Sequence, residues 1–185
     1  TPQPVAGIDQ VQRIAAGFEH ALALRSDGSV WAWGSNSAGQ LGPGSRQARS
    51  TPQPVAGPVD AVAVAAGRTH SLALGRSGVV WAWGSNARGA LGDGSNVDAD
   101  AVLRVANLPP ITAIAAGDDL SCALDADGRV WSWGEHSGAG LGRPVAADFD
   151  AHAGVVPGLE QVLALACASQ AGMALRHDGT LLAWG

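Results

Sequence analysis

The chain has 185 residues, a net charge of -5, 46% hydrophobic residues and 15% charged residues. This composition suits a folded domain with a buried core and excludes an intrinsically disordered chain. The 11 basic residues are all arginine, so Schiff-base catalysis and a lysine-bearing phosphate loop are excluded, and the acidic balance argues against a general nucleic-acid-binding surface. No apolar run approaches the roughly 20 residues of a membrane-spanning helix.

The first predicted elements are three short β-strands. Apolar runs at 11–16, 20–24 and 30–33 are separated by Gly17 and by an Asp-Gly pair at 27–28. Asp-Gly between apolar runs predicts a hairpin with a type I′ turn. Alternation places large side chains on one face of the second strand and alanines on the other. Both faces are apolar, so we expect a sheet covered on both sides.

The same elements then repeat along the whole chain with a period of 50, 50 and 51 residues. The seven residues TPQPVAG occur twice, and A-A-G and W-A-W-G patterns recur in register. The repeat predicts a single domain over 1–185 with units at about 1–50, 51–100, 101–151 and 152–185. Four short strands per unit, stacked face to face, predict an all-β fold, a β-propeller with four blades of about 50 residues.

Strand order within a blade follows from side-chain size and from proline. The small residues of the A-A-G strand suit the crowded axis, whereas Pro52 and Pro54 lack N–H donors and belong on an outer edge. The predicted order from the axis outward is I-A-A-G, H-S-L-A-L, V-W-A-W-G and P-x-P-V. We also expect Trp33, Trp83 and Trp133 to occupy equivalent positions between blades.

Closure of the ring is open at the level of sequence. The chain starts with an outer-edge motif, Pro2 to Val5, and stops on a third strand, Leu181 to Trp184, so pairing of these two segments would close a ring. The alternatives are a four-bladed ring from one chain, an eight-bladed ring from two chains, or a part of a longer chain. We favour a partial or assembled ring over the four-bladed monomer.

The repeat resembles that of the regulator of chromosome condensation family. The unit A-A-G-x-x-H-S-L-A-L followed by V-W-A-W-G-S-N-x-x-G-x-L-G is carried by 14–42 and 64–92, with 114–142 close to it. The fourth unit departs, since Ala168, Ala171 and Leu182 replace the glycine, histidine and tryptophan.

The resemblance implies a β-propeller, typically with seven blades, and a binding function. Members include a guanine-nucleotide exchange factor on chromatin, an ultraviolet sensor of plants and a bacterial inhibitor of β-lactamases. The light sensor clusters tryptophan after the A-A-G glycine. Because Phe18, Arg68, Asp118 and Ser169 stand at that position here, photoreception is not expected, and the third-strand tryptophans are interpreted as packing residues.

Recognition is expected on one end of the ring, which we call the loop face. It comprises the turns after A-A-G and the long loops after W-A-W-G, and these segments vary between units while the strands repeat. Exposed aromatic residues beside charges are typical of protein interfaces. The candidate protein-binding residues are Phe18, Glu19, Arg68, Arg88, Asp118, Asp119, His136 and Phe149. The alternative is that these are solvated loop residues and that Phe149 packs beneath its own loop.

Charges on the loop face change sign along the chain. Arginines dominate the first two units, at Arg46, Arg49, Arg68 and Arg88. Acidic residues dominate the later part, with Arg143 the exception, at Asp93, Asp98, Asp100, Asp118, Asp119, Glu135, Asp148 and Asp150.

Catalytic patterns are weak. The sequence contains no G-x-S-x-G, H-E-x-x-H or C-x-x-C motif, and we predict no catalytic, cofactor or metal site, with a metal at Asp148, His136 and His152 as a minor alternative. The recurring His20 and His70 are interpreted as structural hydrogen-bonding residues.

Cys122 and Cys167 replace a leucine and an alanine of the repeat and are predicted to be free buried thiols rather than a disulfide.

These observations together predict a non-enzymatic protein–protein interaction module. The alternative is a self-assembling unit in which two copies complete one ring, and a propeller-type inhibitor, an exchange factor or an enzyme ranks below it. The expected partner is another protein or a second copy of the chain, without nucleic acid or membrane. The composition resembles that of bacterial proteins, and the sequence leaves cytoplasmic and secreted locations open.

Overall fold

The regular secondary structure of the chain consists almost entirely of β-strands. The structure, a computed structural model, describes residues 1–185 apart from the side chain of Asp100, so the place of that carboxylate on the loop face lies outside the described residues. The strands are β1 Val11–Ala16, β2 His20–Arg25, β3 Val30–Gly34, β4 Arg49–Pro54, β5 Ala61–Ala66, β6 His70–Gly75, β7 Val80–Gly84, β8 Ala99–Arg104, β9 Ile111–Ala116, β10 Leu120–Asp125, β11 Val130–Glu135, β12 Phe149–Val155, β13 Val162–Cys167, β14 Gly172–Arg176 and β15 Leu181–Trp184. One 3₁₀ turn occupies Ser137–Ala139. Among the residues described, no helix has the length and apolar character needed to cross a membrane.

The strands form four antiparallel sheets that are the blades of a β-propeller. Blade 1 is β1 to β4, blade 2 is β5 to β8, blade 3 is β9 to β12, and blade 4 has only β13 to β15. The first strands of neighbouring blades pack against each other, as do the second strand of each blade and the first strand of the next. The predicted fold and the strand order from the axis outward are confirmed. The outermost strand of each four-stranded blade comes from the start of the next sequence unit.

The hairpin turns differ from the predicted type I′ geometry. In the first turn, Gly28 has a positive φ of 81°, whereas neither Ser26 nor Asp27 does. Gly28 N donates to Arg25 O at 3.0 Å, and Arg25 N donates to Ser29 O at 3.0 Å. This is a type I turn followed by a glycine bulge, so the type I′ prediction was wrong and only one residue requires glycine.

The core lies between blades and is built from leucines, valines and tryptophans. Trp83 and Trp133 are completely buried, and each indole Nε1 donates at 2.8 Å to a carbonyl of the preceding blade, Gln40 O and Ala90 O. Trp33 is half-buried instead, because no blade precedes blade 1 in this chain. The expected equivalence therefore holds for two of the three tryptophans.

The N-terminal segment does not close the ring within one chain. Residues 1–5 are exposed and carry no strand, and the outer edge of β15 has no strand partner in the described residues. The second copy of the motif does form the outermost strand of blade 1, where Pro54 pairs with Trp31. The expectation of pairing between Pro2–Val5 and Leu181–Trp184 is thus wrong for a single chain, which is a partial ring of four blades.

Candidate protein-binding face

The loop face is assembled at one end of all four blades. In blade 1, Ala16 pairs with Ala21, His20 pairs with Gly34, and Gly34 pairs with Arg49. The turn between β1 and β2 therefore lies beside both ends of the loop between β3 and β4. The same register recurs in blades 2 and 3, so the variable segments share one end, as the sequence predicted.

A row of four side chains crosses the centre of this face, one from each blade. Phe18, Arg68, Asp118 and Ser169 each follow the A-A-G position, and we call them the hub row. The Arg68 guanidinium lies 4.6 Å from the centroid of the Phe18 ring. Arg68 Nη1 donates to Asp118 Oδ2 at 3.4 Å, and Ser169 Oγ donates to the same oxygen at 2.8 Å. Each member of the row thus contacts the next around the axis.

The hub row is supported by the backbone but remains accessible. Arg68 N donates to Asp118 O at 2.9 Å, which fixes blade 2 against blade 3 at this point. Phe18 is 67% exposed, and the side chains of Arg68 and Asp118 are 49% and 38% exposed. Phe18 occupies the blade 1 end of the row, so only one of its sides meets another member. The row therefore presents an aromatic ring and paired charges to solvent.

An acidic pair adjoins the hub row on blade 3. Burial raises the pKa of Asp119, and the neighbouring charges of Glu135 and Asp118 raise it further. The backbone joins the two acidic residues, because Glu135 N donates to Asp119 O at 2.9 Å. This side of the face is negative, and Arg88 and Arg68 partly offset the charge. A cationic group placed here would be attracted.

A buried polar ladder lies beneath the face and joins blades 1 to 3. His20 Nε2 is 2.9 Å from Ser71 Oγ, and Ser71 Oγ donates to Gln40 O at 2.9 Å. His70 and Ser121 repeat this geometry in the next interface, with Ala90 O as the acceptor. Burial lowers the pKa of both histidines to about 4. The two histidines thus hold blades together rather than serve as accessible bases, in line with the structural role expected from sequence.

Most of the other loop-face charges bind neighbouring parts of the chain. Arg46 pairs with Asp98 of the next blade at 3.5 Å. Arg143 donates to Asp150 at 3.0 Å and also to the backbone carbonyls of Ser132 and His152, and its side chain is only 12% exposed. Some of the arginines and acidic residues that the sequence placed on the loop face therefore pair with each other, between blades or within one blade.

The candidate residues from sequence fall into two groups. Glu19 and Arg88 are exposed and join Phe18, Arg68, Asp118 and Asp119 on the open face. His136 is half-buried, and its backbone N donates to Asp148 O at 2.7 Å. Phe149 is half-buried as the first residue of β12, where it pairs with Glu135, so it is not an exposed loop aromatic.

One member of the hub row was missed as a candidate. Ser169 occupies the same repeat position as Phe18, Arg68 and Asp118, and this positional equivalence is the signal that identifies it.

Among the residues whose side chains are described, no cluster of three or more His, Cys, Asp or Glu could hold a metal. The minor metal alternative at His136, His152 and Asp148 is therefore not supported.

The fold and repeats define a β-propeller, and the comparisons assign its family. Two family models, both described as the regulator of chromosome condensation (RCC1) repeat, match this chain. One covers residues 27–74 and 77–124, and the other covers 11–40, 61–90 and 111–138. The chain belongs to the RCC1 repeat family.

Solved structures of RCC1-type propellers are similar over nearly the whole chain. Human WBSCR16 is 25% identical over 95% of this chain and 47% of its own, with a TM-score of 0.86. Yeast RCC1 (Prp20), solved bound to Kap60, is 28% identical. The match covers 95% of this chain and 43% of Prp20, with a TM-score of 0.81. Prp20p from Saccharomyces cerevisiae, studied for binding to Gsp1p and histones, is 24% identical. The match covers 94% of this chain and 46% of Prp20p, with a TM-score of 0.79, and it supports the fold alone. The chain spans less than half the length of these proteins.

Proposed function

We propose that this propeller is a non-enzymatic module that binds another protein through its loop face. The observation that carries the proposal is Phe18, which is 67% exposed at the end of the hub row and stacked on Arg68. An exposed aromatic ring that already contacts a neighbouring side chain is a suitable anchor for a partner. The relative Prp20 binds the protein Kap60, which supports protein binding as the kind of function.

The charges on the face define the chemistry of the partner. Phe18 requires an apolar contact, and Asp119 with Glu135 favours basic residues opposite blade 3. Electrostatic complementarity of this type sets orientation and association rate more than affinity. We therefore propose a protein partner with an apolar contact flanked by arginine or lysine on one side.

Substitution of Phe18 tests the proposal against a matched control on the opposite end of the ring. Val59 is 65% exposed and lies between β4 and β5, so Val59→Ala removes similar exposed apolar surface away from the loop face. Partners captured on the wild-type chain are identified, purified and titrated by calorimetry against wild type, Phe18→Ala, Asp119→Ala and Val59→Ala. We expect Phe18→Ala to weaken binding by about tenfold or more, as for an anchor residue. Unchanged affinities for Phe18→Ala and Asp119→Ala would exclude this surface.

A second candidate function is assembly of two copies into one ring. The free side of blade 1 exposes Ile14 by 77% and leaves Trp33 half-buried, and blade 4 exposes Met173 by 46% and Leu181 by 63%. In blades 2 and 3 the tryptophans equivalent to Trp33 are completely buried, and in blades 1 to 3 the residues equivalent to Met173 are completely buried. The N-terminal TPQPVAG segment also matches the segment that forms the outermost strand of blade 1. A second copy could cover both sides and add residues 1–7 to β15.

Molecular mass in solution separates the two candidates. Light scattering on wild type, on a chain lacking residues 1–7, on Met173→Arg and on the control Val59→Arg measures the number of copies. Self-assembly predicts twice the chain mass for wild type and Val59→Arg and a single-chain mass for the other two. A wild-type monomer would remove the self-assembly candidate and leave partner binding untouched.

A further inference from the structure

The interface between blades 3 and 4 contains two thiols in contact. Cys122 is in β10 and Cys167 is in β13, and their sulfur atoms lie 2.8 Å apart, within hydrogen-bonding distance. Both cysteines are free thiols in this structure. Cys122 is buried as the sequence predicted, but Cys167 is partly exposed, so the prediction of a buried thiol is wrong for Cys167. Their proximity was not expected, because 45 residues separate them and neither strand pairs with the other in a sheet. The contact is made by packing of one blade on the next.

The two other interfaces show what this position normally contains. Leu22 with Ala66, and Leu72 with Ala116, occupy the equivalent positions and belong to the apolar clusters between blades 1 and 2 and between blades 2 and 3. At the third interface the leucine and the alanine are both replaced by cysteine. Replacement of both facing residues places two sulfurs where the fold brings side chains together.

The surroundings of the pair differ for the two sulfurs. Cys122 is completely buried, within an apolar cluster that includes Leu120, Leu141 and Trp184. Cys167 is partly exposed and lines the depression at the centre of the loop face, two residues before Ser169 of the hub row. A small disulfide can therefore reach Cys167 from solvent but cannot reach Cys122.

We propose that Cys122 and Cys167 form a reversible disulfide that covalently joins blade 4 to blade 3. The oxidant is a small-molecule disulfide such as oxidised glutathione. The Cys167 thiol first gives its proton to water. The resulting thiolate attacks one sulfur of oxidised glutathione and breaks its disulfide, and the glutathione thiolate that leaves takes up a proton, so that a mixed disulfide remains on Cys167. Cys122 then loses its proton to the departing thiolate and attacks Cys167 Sγ, so the mixed disulfide breaks and a second thiol leaves. In total, two protein thiols become one disulfide, and one small disulfide becomes two thiols.

The contact between the sulfurs makes the second step fast relative to attack by a thiol from solution. The hydrogen bond with Cys167 and burial raise the pKa of the Cys122 thiol well above its usual value, so Cys122 resists oxidation by itself. Cys167 is consequently the entry point and Cys122 the resolving residue. The bond would also restrain Ser169, which holds Asp118 in the hub row.

The closed loop of about 45 residues makes the disulfide a measurable stabiliser. Loss of loop entropy from the unfolded chain raises the melting temperature by about 5–15 °C for a domain of this size. Blade 4 benefits most, because it has three strands and one neighbouring blade in this chain. Oxidation thus strengthens the least protected part of the partial ring.

Thiol titration and thermal melting of the full chain test the proposal, with oxidised glutathione as the probe. The matched control is the double variant Cys122→Leu with Cys167→Ala, which restores the pair found at the other two interfaces. In the wild type we expect both thiols to disappear together, the mass to fall by two hydrogens, the chain to stay free of intermolecular disulfides and the melting temperature to rise. In Cys122→Ala we expect a stable glutathione adduct on Cys167.

Several results would contradict the proposed disulfide. A glutathione adduct retained on the wild type, thiols that persist after prolonged exposure to the probe, or covalent dimers would overturn the proposal. A lowered melting temperature of the oxidised chain would show that the bond strains the interface and would also contradict it. The double variant shows whether the interface folds without sulfur, so a folding defect cannot be mistaken for a redox effect.

Discussion

The Nε2 atom of His70 in β6 lies 2.9 Å from the Oγ atom of Ser121 in β10 of the next blade. Ser121 uses its hydroxyl proton to donate to Ala90 O at 2.9 Å, so the histidine must donate to the serine. This assigns the proton of the neutral ring to Nε2 and leaves Nδ1 buried without a partner in the described structure. At the last interface Leu120 and Gly172 occupy the equivalent positions, and both polar groups are lost together.

The buried histidines predict a loss of stability in mild acid. The pKa of His70 is about 4 in the folded chain against 6.5 for the free side chain, because burial disfavours the charged ring. Between these values the unfolded chain binds more protons, so the free energy of unfolding falls as the pH decreases from 6.5 to 4. The full effect is about 3 kcal/mol for one such histidine.

Denaturant unfolding from pH 7 to pH 4 measures this effect. The variant His70→Leu, which introduces the residue found at position 120, should lose less stability on acidification than the wild type. His152→Ala is the control, since this histidine side chain is 65% exposed. Equal pH dependence of the wild type and His70→Leu would contradict the assigned burial of the neutral ring.

Two tryptophans at the same repeat position should differ in their contribution to stability. Trp83 is completely buried and its Nε1 donates to Gln40 O, so Trp83→Ala should cost about 3–5 kcal/mol. Trp33 is half-buried on the free side of blade 1, and Trp33→Ala should cost substantially less. Equilibrium unfolding in urea compares the two variants. Equal losses would indicate that Trp33 is covered in solution, as self-assembly requires.

A stabilising substitution is predicted at Gly75. Trp131 Nε1 donates to Asp125 at 3.0 Å in blade 3, whereas in blade 2 Gly75 stands at the equivalent position and Trp81 Nε1 is buried without a partner in the described structure. A Cβ at Gly75 would make ordinary contacts of 3.4 Å or more. Gly75→Asp should therefore supply an acceptor and raise the free energy of unfolding by about 1 kcal/mol.

The alanine variant separates the hydrogen bond from the loss of glycine flexibility. Gly75→Ala restricts the unfolded chain but offers no acceptor to Trp81, so thermal or urea unfolding should rank Gly75→Asp above it. If Gly75→Ala is equally stable, the aspartate forms no useful bond with the indole.

The hub row should contribute to binding more than to stability. Asp118 is 38% exposed on its side chain and pairs with Arg68 at 3.4 Å, and exposed ion pairs are worth about 0–1 kcal/mol. Asp118→Ala should therefore change the free energy of unfolding by less than about 1 kcal/mol while lowering affinity for the partner. Asp27→Ala, at the opposite end of blade 1, is the control for loss of a surface carboxylate. A large unfolding penalty for Asp118→Ala would instead assign the row a structural role.

Much of the fold could be predicted from the repeat. The alternation of large and small side chains predicted the strands. Because Pro52 and Pro54 lack N–H donors, their strand was predicted at the outer edge of the blade, and β4 is the outermost strand of blade 1. The turn type was wrong because Asp-Gly also occurs in a type I turn with a glycine bulge, and only the backbone geometry separates the two. Phe149 was placed in a loop because the sequence does not mark where β12 begins.

The candidate protein-binding face was also only partly predictable from the sequence. The sequence located it, since variable residues at fixed repeat positions identify the end of the ring where Phe18, Arg68 and Asp118 lie. It did not show that these side chains contact one another or that Ser169 completes the row, because each contact joins residues about 50 positions apart.

The amino-acid sequence by itself determined the strands, their order and the end of the propeller that varies, because these depend on local alternation and on a repeat that can be compared within one chain. Only the tertiary structure decided which side chains meet. The rotation from one blade to the next brings His70 to Ser121, Phe18 to Arg68 and Cys122 to Cys167. It also leaves Trp33 without the neighbouring blade that buries Trp83 and Trp133.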